Sequence, residues 1–437
     1  MIWNPAAETA SRAERCRLQL ERLRGAVAWA GERVPFYREA FAAADVDPSA
    51  IKSLDDLARP PFTRKSHLRD QYPWGLFAVP REALVRVHAS SGTKGKPTIV
   101  GYTRGDLEMW REVMARSLAL AGAEPGHLIH NAYGYGLFTG GLGVHDGAEH
   151  MGVTVLPVSS GNTLRQILLL QDFRPQGLAC TPSFALHIGE TMREQGLDPR
   201  AVGVGYGIFG AEPWTEAMRR QIEALWGLRA VDCYGLSEII GPGVAMECVE
   251  FRAGLHVNDD HFLPEIVDPV SGDPLPEGAE GELVLTCLTK EALPMIRYRT
   301  GDLTSLDAAP CRCGRTTARI ARIKGRADDM LVIKGVNVYP SQLEAALLTL
   351  DELAPHYQLV VDRTAGFPTL EVHVEPAEAR VVAWGGFDAA RPEVRGLSER
   401  VGEMLRGHLG LNLVVTIVPP KTIPRSEGKA VRVVERS

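Results

Sequence analysis

Between Val85 and about Cys233 short apolar runs alternate with amphipathic segments. "LVRVHA", "HLIHNAY", "GVTVLPV", "GLACT", "VGVGYGIFGA" and "LRAVDCYG" are separated by stretches such as "RGDLEMWREVMARSLALAGA", "LRQILLLQDF", "FALHIGETMREQG" and "WTEAMRRQIEALWG". This rhythm of strand and crossover helix predicts a mainly parallel, doubly wound α/β sheet, which binds ligands at the carboxyl ends of its strands. The 80 or so residues before it read as a helix-rich lead-in that opens with a capped amphipathic helix and ends in "RKSHLRDQYPWGLFAVP". From about Gly254 to Asp307 the pattern changes to strands and Gly/Pro/Asp turns, which predicts a β subdomain. A smaller α+β unit follows, with helices near 341–350 and 393–409 and strands near 357–362, 369–374 and 413–418. The boundary is placed near Arg326 to Asp328, dividing the chain into residues 1–326 and 327–437.

Composition narrows the function classes. With 45% hydrophobic and 23% charged residues the 437-residue chain is of globular type, and its length predicts more than one core. A net charge of −6 argues against nucleic acid or an anionic membrane as the main partner. The amino terminus lacks a basic start followed by an apolar run, and runs such as Leu413 to Val418 fall far short of the ~20 residues a membrane helix needs. A cytoplasmic protein is expected. Seven cysteines, an odd count, suit thiols or metal ligands better than a disulfide framework.

Candidate chemistry begins at "SSGTKGKPT", residues 90–98. The spacing Gly92-x-x-Gly95-Lys96 is two residues short of a Walker A loop, and Pro97 follows where that loop opens a helix. What remains is a nest of small donors and two lysines, able to hold a cluster of oxyanions or to form an ordinary Gly/Ser surface turn.

Four further stretches follow in order: "DCYGLSE" at 232–238, "IRYRTGDLT" at 296–304, "KGRADDMLVIKGVNVYPSQLE" at 324–344 and "PRSEGKAVR" at 424–432. With the longer matches "AYGYGLFTGG", "FGAEPWT", "GPGVAMEC" and "LTKEALP", the sequence resembles the adenylate-forming acyl-CoA synthetases, specifically the phenylacetate–coenzyme A ligases, over essentially the whole chain. The resemblance implies a large amino-terminal domain of doubly wound sheets with a β subdomain, and a small mobile α+β carboxy-terminal domain. It implies an aryl carboxylate attacking the α-phosphate of ATP, then displacement of AMP by the thiol of coenzyme A. Ser90, Ser91, Gly92, Thr93 and Lys96 would grip the leaving phosphates, and Glu238 would hold Mg²⁺ with Ser237 on the phosphate. Tyr234 would lie against adenine and Asp302 would accept from the ribose hydroxyls, with Gly210, Ala211, Glu212, Asp232, Gly235 and Arg326 also at the nucleotide. Lys429, on the loop "SEGKA", would place positive charge on the crowded carboxylate and α-phosphate. A hinge in "GRADD", at Asp328, would turn the small domain between half-reactions and bring Lys334 to Pro340 onto the large one.

Aromatic and glycine positions in "AYGYGLFTGG" suit a flat ring: Tyr133, Tyr135 and Phe138 as walls, with Gly136, Gly140 and Gly141 leaving room. By resemblance, Tyr135, Phe138, Gly210, Ala211, Ile240 and Pro242 line the acyl site. Phenylacetate is the closest match; ring-substituted phenylacetates, benzoate and anthranilate stay open, because one methylene in an apolar pocket is worth only about 1–3 kcal/mol. A carrier protein could replace free coenzyme A as acceptor, and a nucleotide-binding zinc regulator without turnover is the competing class. Cys248, His256, Cys311 and Cys313 offer a Cys₃His set suited to tetrahedral structural zinc, against which stand free buried thiols. Partners expected from the resemblance are small molecules and a second copy in a homodimer.

Overall fold

The computed structural model describes residues 1–90, 97–327, 331–333, 336–362, 369–426 and 430–436. Its largest sheet has nine strands, and five adjacent ones are parallel: Arg229–Leu236, Tyr206–Gly210, Gly177–Cys180, Leu128–Asn131 and Thr154–Leu156. Helices Thr139–Met151, Thr163–Phe173, Pro182–Glu194 and Glu216–Trp226 make the crossovers. Covered on both faces, the inner strands are wholly buried from Gly177 to Cys180 and from Tyr206 to Gly210, which is why they read as continuous apolar runs. After Leu236 the chain reverses. Gly241–Glu247 returns antiparallel and is followed in the sheet by Leu255–Val257, Arg319–Ile320 and Leu306–Asp307.

Two assignments differ from the sequence reading. The run "LVRVHA" does not join the parallel sheet; Arg86–Ser90 pairs antiparallel with Thr98–Tyr102 in a two-stranded ribbon. Only seven residues separate these strands in sequence, too few for the crossover of a dozen or more that a parallel partner needs. The strands of the 254–307 region also divide: Phe262–Val267, Gly281–Cys287 and Tyr298–Thr304 form an antiparallel sheet with Gly325–Arg326, while Leu255–Val257 and Leu306–Asp307 belong to the large sheet.

The amino-terminal helix Arg12–Arg33 starts at a capping box between Ser11 and Glu14. In the carboxy-terminal region, strands Leu353–Asp362, Thr369–Pro376, Val414–Ile417 and Val433–Arg436 share one sheet. Helices Pro340–Leu347 and Pro392–Leu409 supply Leu343, Leu397, Val401 and Leu405 to a core of its own with Leu359, Val361 and Val372. The last strand, parallel to Leu353–Asp362, escaped the sequence reading because "VRVVERS" interleaves charge with its few apolar residues. Among the described residues no helix is long and apolar enough to cross a membrane.

Candidate active site

The parallel strands end on one edge of the large sheet, and "FGAEPWT" and "DCYGLSE" run off two of them there. Strand Tyr206–Gly210 leads into Ala211 and Glu212. A side chain at Gly210 would strike the Cys233 carbonyl of the neighbouring strand, so glycine permits the close approach. Ala211 has φ +68°, a left-handed conformation that costs a non-glycine residue roughly 1–3 kcal/mol. That turn aims Glu212 at two backbone donors: Ser183 N, at the start of helix Pro182–Glu194, 2.8 Å from Oε1, and Ala430 N, 2.9 Å from Oε2.

On the next strand Asp232 is buried, and burial pushes its carboxyl above the usual carboxylate range against the opposing pull of Arg322. Trp214 Nε1 donates to Asp232 at 3.0 Å, and Arg322 Nε lies 3.4 Å away. Tyr234 donates its hydroxyl to Asp302 Oδ2 at 2.6 Å, while Arg326 Nη1 reaches Oδ1 at 3.0 Å. Tyr234 and Arg326, 92 residues apart, thus converge on the Asp302 carboxylate. Asp302 and Arg326 are also cross-strand partners, which fixes their approach. Gly235 is pressed against the Gly241 carbonyl, leaving no room for a Cβ, and Ser237 Oγ lies 3.1 Å from Thr139 Oγ1. Glu238 is buried and faces a cleft of about 320 Å³ lined by Arg64, Lys65, Thr300, Gly301 and Arg326.

Ser90 closes the first strand of the ribbon, and its buried Oγ has no hydrogen-bond partner among the described residues. Such an orphaned hydroxyl fits a site for an anionic ligand. Ser91, Gly92, Thr93, Lys96, Asp328, Lys334 and Lys429 lie outside the described residues.

In the aryl-site candidates, Tyr135 is half-buried and its hydroxyl accepts from Asn131 Nδ2 at 2.7 Å and lies 3.1 Å from His145 Nδ1. Phe138 is half-buried, and its ring packs so closely on Gly140 that a Cβ there would collide with it. Gly136, with φ +117°, sits in an exposed turn, and Gly141 is pressed on the Gly134 carbonyl. Ile240 is fully buried and Pro242 half-buried beyond Glu238. Tyr133 belongs to the main hydrophobic core, its hydroxyl donating to the Ile208 carbonyl at 3.3 Å.

Away from this edge, Cys248, His256, Cys311 and Cys313 converge, with their ligand atoms all within 4.8 Å of one another. Cys248 Sγ is 3.9 Å from Cys311 Sγ, and Cys313 Sγ is 3.5 Å from His256 Nε2. Tetrahedral zinc with bonds of about 2.3 Å to sulfur and 2.0 Å to nitrogen requires edges of roughly 3.8 and 3.5 Å, so the donor set fits. His256 Nδ1 lies 3.0 Å from Thr317 Oγ1, leaving Nε2 for the metal. Burial, helped by neighbouring arginines, pushes His256 down to about 3, keeping it neutral. Cys248 follows the Gly241–Glu247 strand, about 20 Å along it from the active-site edge at ~3.3 Å per residue. The cluster therefore lies apart from that edge.

Two residues at the site were missed by the sequence reading. Lys65 Nζ lies 3.8 Å from Glu238 Oε1, supplied by helix Lys65–Asp70 of the lead-in; its one sequence signal was the basic start of "RKSHLRD". Arg322, which pairs with Asp232, had none.

Comparison with known proteins gives three kinds of likeness. Residues 335–437 match the family model described as the AMP-binding enzyme C-terminal domain. Phenylacetate-coenzyme A ligase of Thermus thermophilus is 53% identical over 438 aligned residues, covering 99% of this chain and 98% of that protein. A crystal structure of 2-hydroxyisobutyryl-CoA ligase with 2-HIB-AMP in the postadenylation state is 31% identical and covers 100% of this chain and 92% of its own, with a TM-score of 0.92. The same enzyme with 2-HIB-AMP and CoA in the thioesterification state gives 0.73 at 32% identity, covering 99% of this chain and 92% of its own.

Proposed function

The chain belongs to the phenylacetate–coenzyme A ligase family of adenylate-forming enzymes, and from that premise we propose that it joins an arylacetic acid, phenylacetate first, to coenzyme A. One carboxylate oxygen attacks the α-phosphorus of ATP, and the bond to pyrophosphate breaks. The sulfur of coenzyme A then attacks the acyl carbon, the bond to AMP breaks, and the thiol proton is lost to solvent. The observation that carries this reading is the convergence of Tyr234, Asp302 and Arg326 beside Glu238, in a chain matched end to end by phenylacetate-coenzyme A ligases.

In this reading Asp302 and Arg326 bind the ribose side of the nucleotide, Tyr234 packs beside the base, and Asp232 with Gly210, Ala211 and Gly235 completes that wall. Glu238 is the hard carboxylate for Mg²⁺, and Lys65 and Ser237 face the phosphates with Ser90, Ser91, Gly92, Thr93 and Lys96. Tyr135, Phe138, Ile240 and Pro242 border the ring of the acid. Lys429 stabilises charge during adenylation. Likeness to the postadenylation structure supports reading the present arrangement as the adenylation side of the cycle, with a turn at Asp328 needed before coenzyme A can enter.

Thioester formation with phenylacetate, hydroxyphenylacetates, benzoate and anthranilate tests the proposal. The expected result is the highest kcat/KM with phenylacetate and release of AMP and pyrophosphate. A lead for benzoate or anthranilate would overturn the substrate, transfer to a carrier protein but not to coenzyme A would overturn the acceptor, and release of ADP would overturn the chemistry.

A second reading concerns the Cys₃His cluster. Its geometry supports structural zinc held by Cys248, His256, Cys311 and Cys313, with no open position. The loop it would close is also clamped by the amino terminus: Arg315 pairs with buried Glu8, and Thr316 N donates to the Glu8 carbonyl at 2.9 Å. Metal analysis is expected to find about one zinc per chain, released when Cys311 and Cys313 are both replaced by serine. Absence of zinc from protein purified without chelators would reject it.

A further inference from the structure

Lys290, in "LTKEALP", is 3% exposed. Burying an ammonium is costly unless its hydrogens are met, and a solvated lysine would be the ordinary outcome in so polar a stretch. Here Nζ donates to the Ile239 carbonyl at 2.6 Å, lies 3.5 Å from the Glu238 carbonyl, and sits 5.0 Å from the centre of the Tyr102 ring. Among the described residues no carboxylate lies within salt-bridge distance of it.

Two neighbours act on the same segment. Tyr102 donates its hydroxyl to the Ile240 carbonyl at 2.9 Å, and Trp110, stacked on Tyr102 with ring centres 5.0 Å apart, donates Nε1 to the Pro242 carbonyl at 2.7 Å. Residues 237–240 form the reversal between two strands of the large sheet, and Gly241 and Pro242 open the returning strand, so carbonyls buried at this bend need partners. Three side chains from elsewhere in the sequence thus meet four of five successive carbonyls. The lysine is itself anchored: Glu291 N and Ala292 N donate to the Asp106 carboxylate at 2.7 and 3.0 Å, on the helix that carries Trp110.

We propose that Lys290 is a positioning residue for the ligase reaction. Through the Glu238 and Ile239 carbonyls it sets where the Glu238 carboxylate stands for Mg·ATP and where the Ile240–Pro242 wall stands for the acid. The proposal rests on the roles assigned above to Glu238, Ile240 and Pro242.

Lys290→Met keeps length and apolar packing but removes the donor; Lys290→Arg keeps charge and donors. Lys290→Met is expected to raise KM for phenylacetate and for Mg·ATP by about tenfold each, to change kcat at saturation less than about threefold, and to be partly rescued in Lys290→Arg. A lowered melting temperature with both KM values unchanged would assign a merely structural role and overturn the proposal. If Lys290→Met does not fold, Tyr102→Phe, which deletes one hydroxyl from the same set, is expected to raise KM for the acid about threefold; an unchanged value overturns the proposal equally. If the wild type forms no aryl thioester, the functional reading falls separately. Mg·ATP titration of wild type and Lys290→Met then decides, an equal Kd sinking the role of Lys290.

Discussion

The face carried by the large sheet and the carboxy-terminal unit that meets it are built in opposite ways. On the sheet, buried groups hold buried groups: Arg219 and Glu247 pair at 2.7 Å beneath Asp232, Asn258 Nδ2 donates to the Gly243 carbonyl at 2.8 Å, and Lys290, Tyr102 and Trp110 hold the carbonyls of Glu238, Ile239, Ile240 and Pro242. The seam to the carboxy-terminal unit is sparse. Along helix Pro182–Glu194 the described polar contacts run from Glu212 with Ala430 N near its start, through Glu190 with His356 at 3.2 Å, to Glu194 with Lys421 at 2.8 Å. Leu348 adds one apolar anchor to the cluster packed on that helix. The sheet face is paired by deep hydrogen bonds, whereas the seam combines a few partly buried contacts with an exposed ion pair between Glu194 and Lys421, a kind of contact worth little in water.

The sharpest test of this division is Lys429→Ala. Pyrophosphate release on adenylation is expected to fall by about 10²–10³, the scale for losing one preorganised charge at a developing oxyanion, while thioester formation from supplied acyl-AMP changes little. Equal losses in both half-reactions would break the division. Next in size is Glu212→Gln. An amide cannot accept from Ser183 N with one atom and Ala430 N with the other, since one of the two is now an NH₂. Losing a hydrogen bond to a charged group costs about 1.5–3 kcal/mol, so adenylation is expected to slow about tenfold or more, again without a matching loss in thioester formation. Glu212 was placed at the nucleotide from sequence; if that role dominates, KM for ATP rises instead of the adenylation rate falling.

Much of the large face was legible in the chain. The parallel strands announced themselves because burial on both faces leaves unbroken apolar runs, and "CYGLSE", "TGD" and "GRADD" name Tyr234, Asp302 and Arg326, which the fold joins. The Cys₃His grouping was legible residue by residue, because few residue types can ligate a metal and the four converge as their chemistry suggested. What stayed hidden depends on partners far apart in sequence. Lys290 reads as a surface lysine because the carbonyls that hold it lie 51 and 52 residues upstream and carbonyls leave no mark on sequence. The pairing of Lys65 with Glu238 spans the chain from lead-in to core in the same way. The seam was invisible throughout, because its acidic residues on helix Pro182–Glu194 look like any solvated helix face.

The smallest expected effect probes the far end of that seam. Glu194 and Lys421 meet at 2.8 Å with side chains 47% and 67% exposed, so solvent and salt screen them. An exposed pair of this kind is worth about 0–1 kcal/mol, at most about fivefold in the population of the docked arrangement. Glu194→Lys replaces attraction by repulsion and is expected to slow adenylation two- to fivefold at low ionic strength, with the effect fading as salt is raised. Restoring opposite signs with Lys421→Glu in the same chain should recover most of the loss, whereas a change in helix stability would survive the swap. Neither half-reaction should respond to the paired exchange once the charges again attract, since neither side chain lines the cleft at Glu238. A swap that rescues adenylation while leaving the thioester step unmoved would show that the rim contacts act only on docking, which is the property that separates the seam from the locked face beside it.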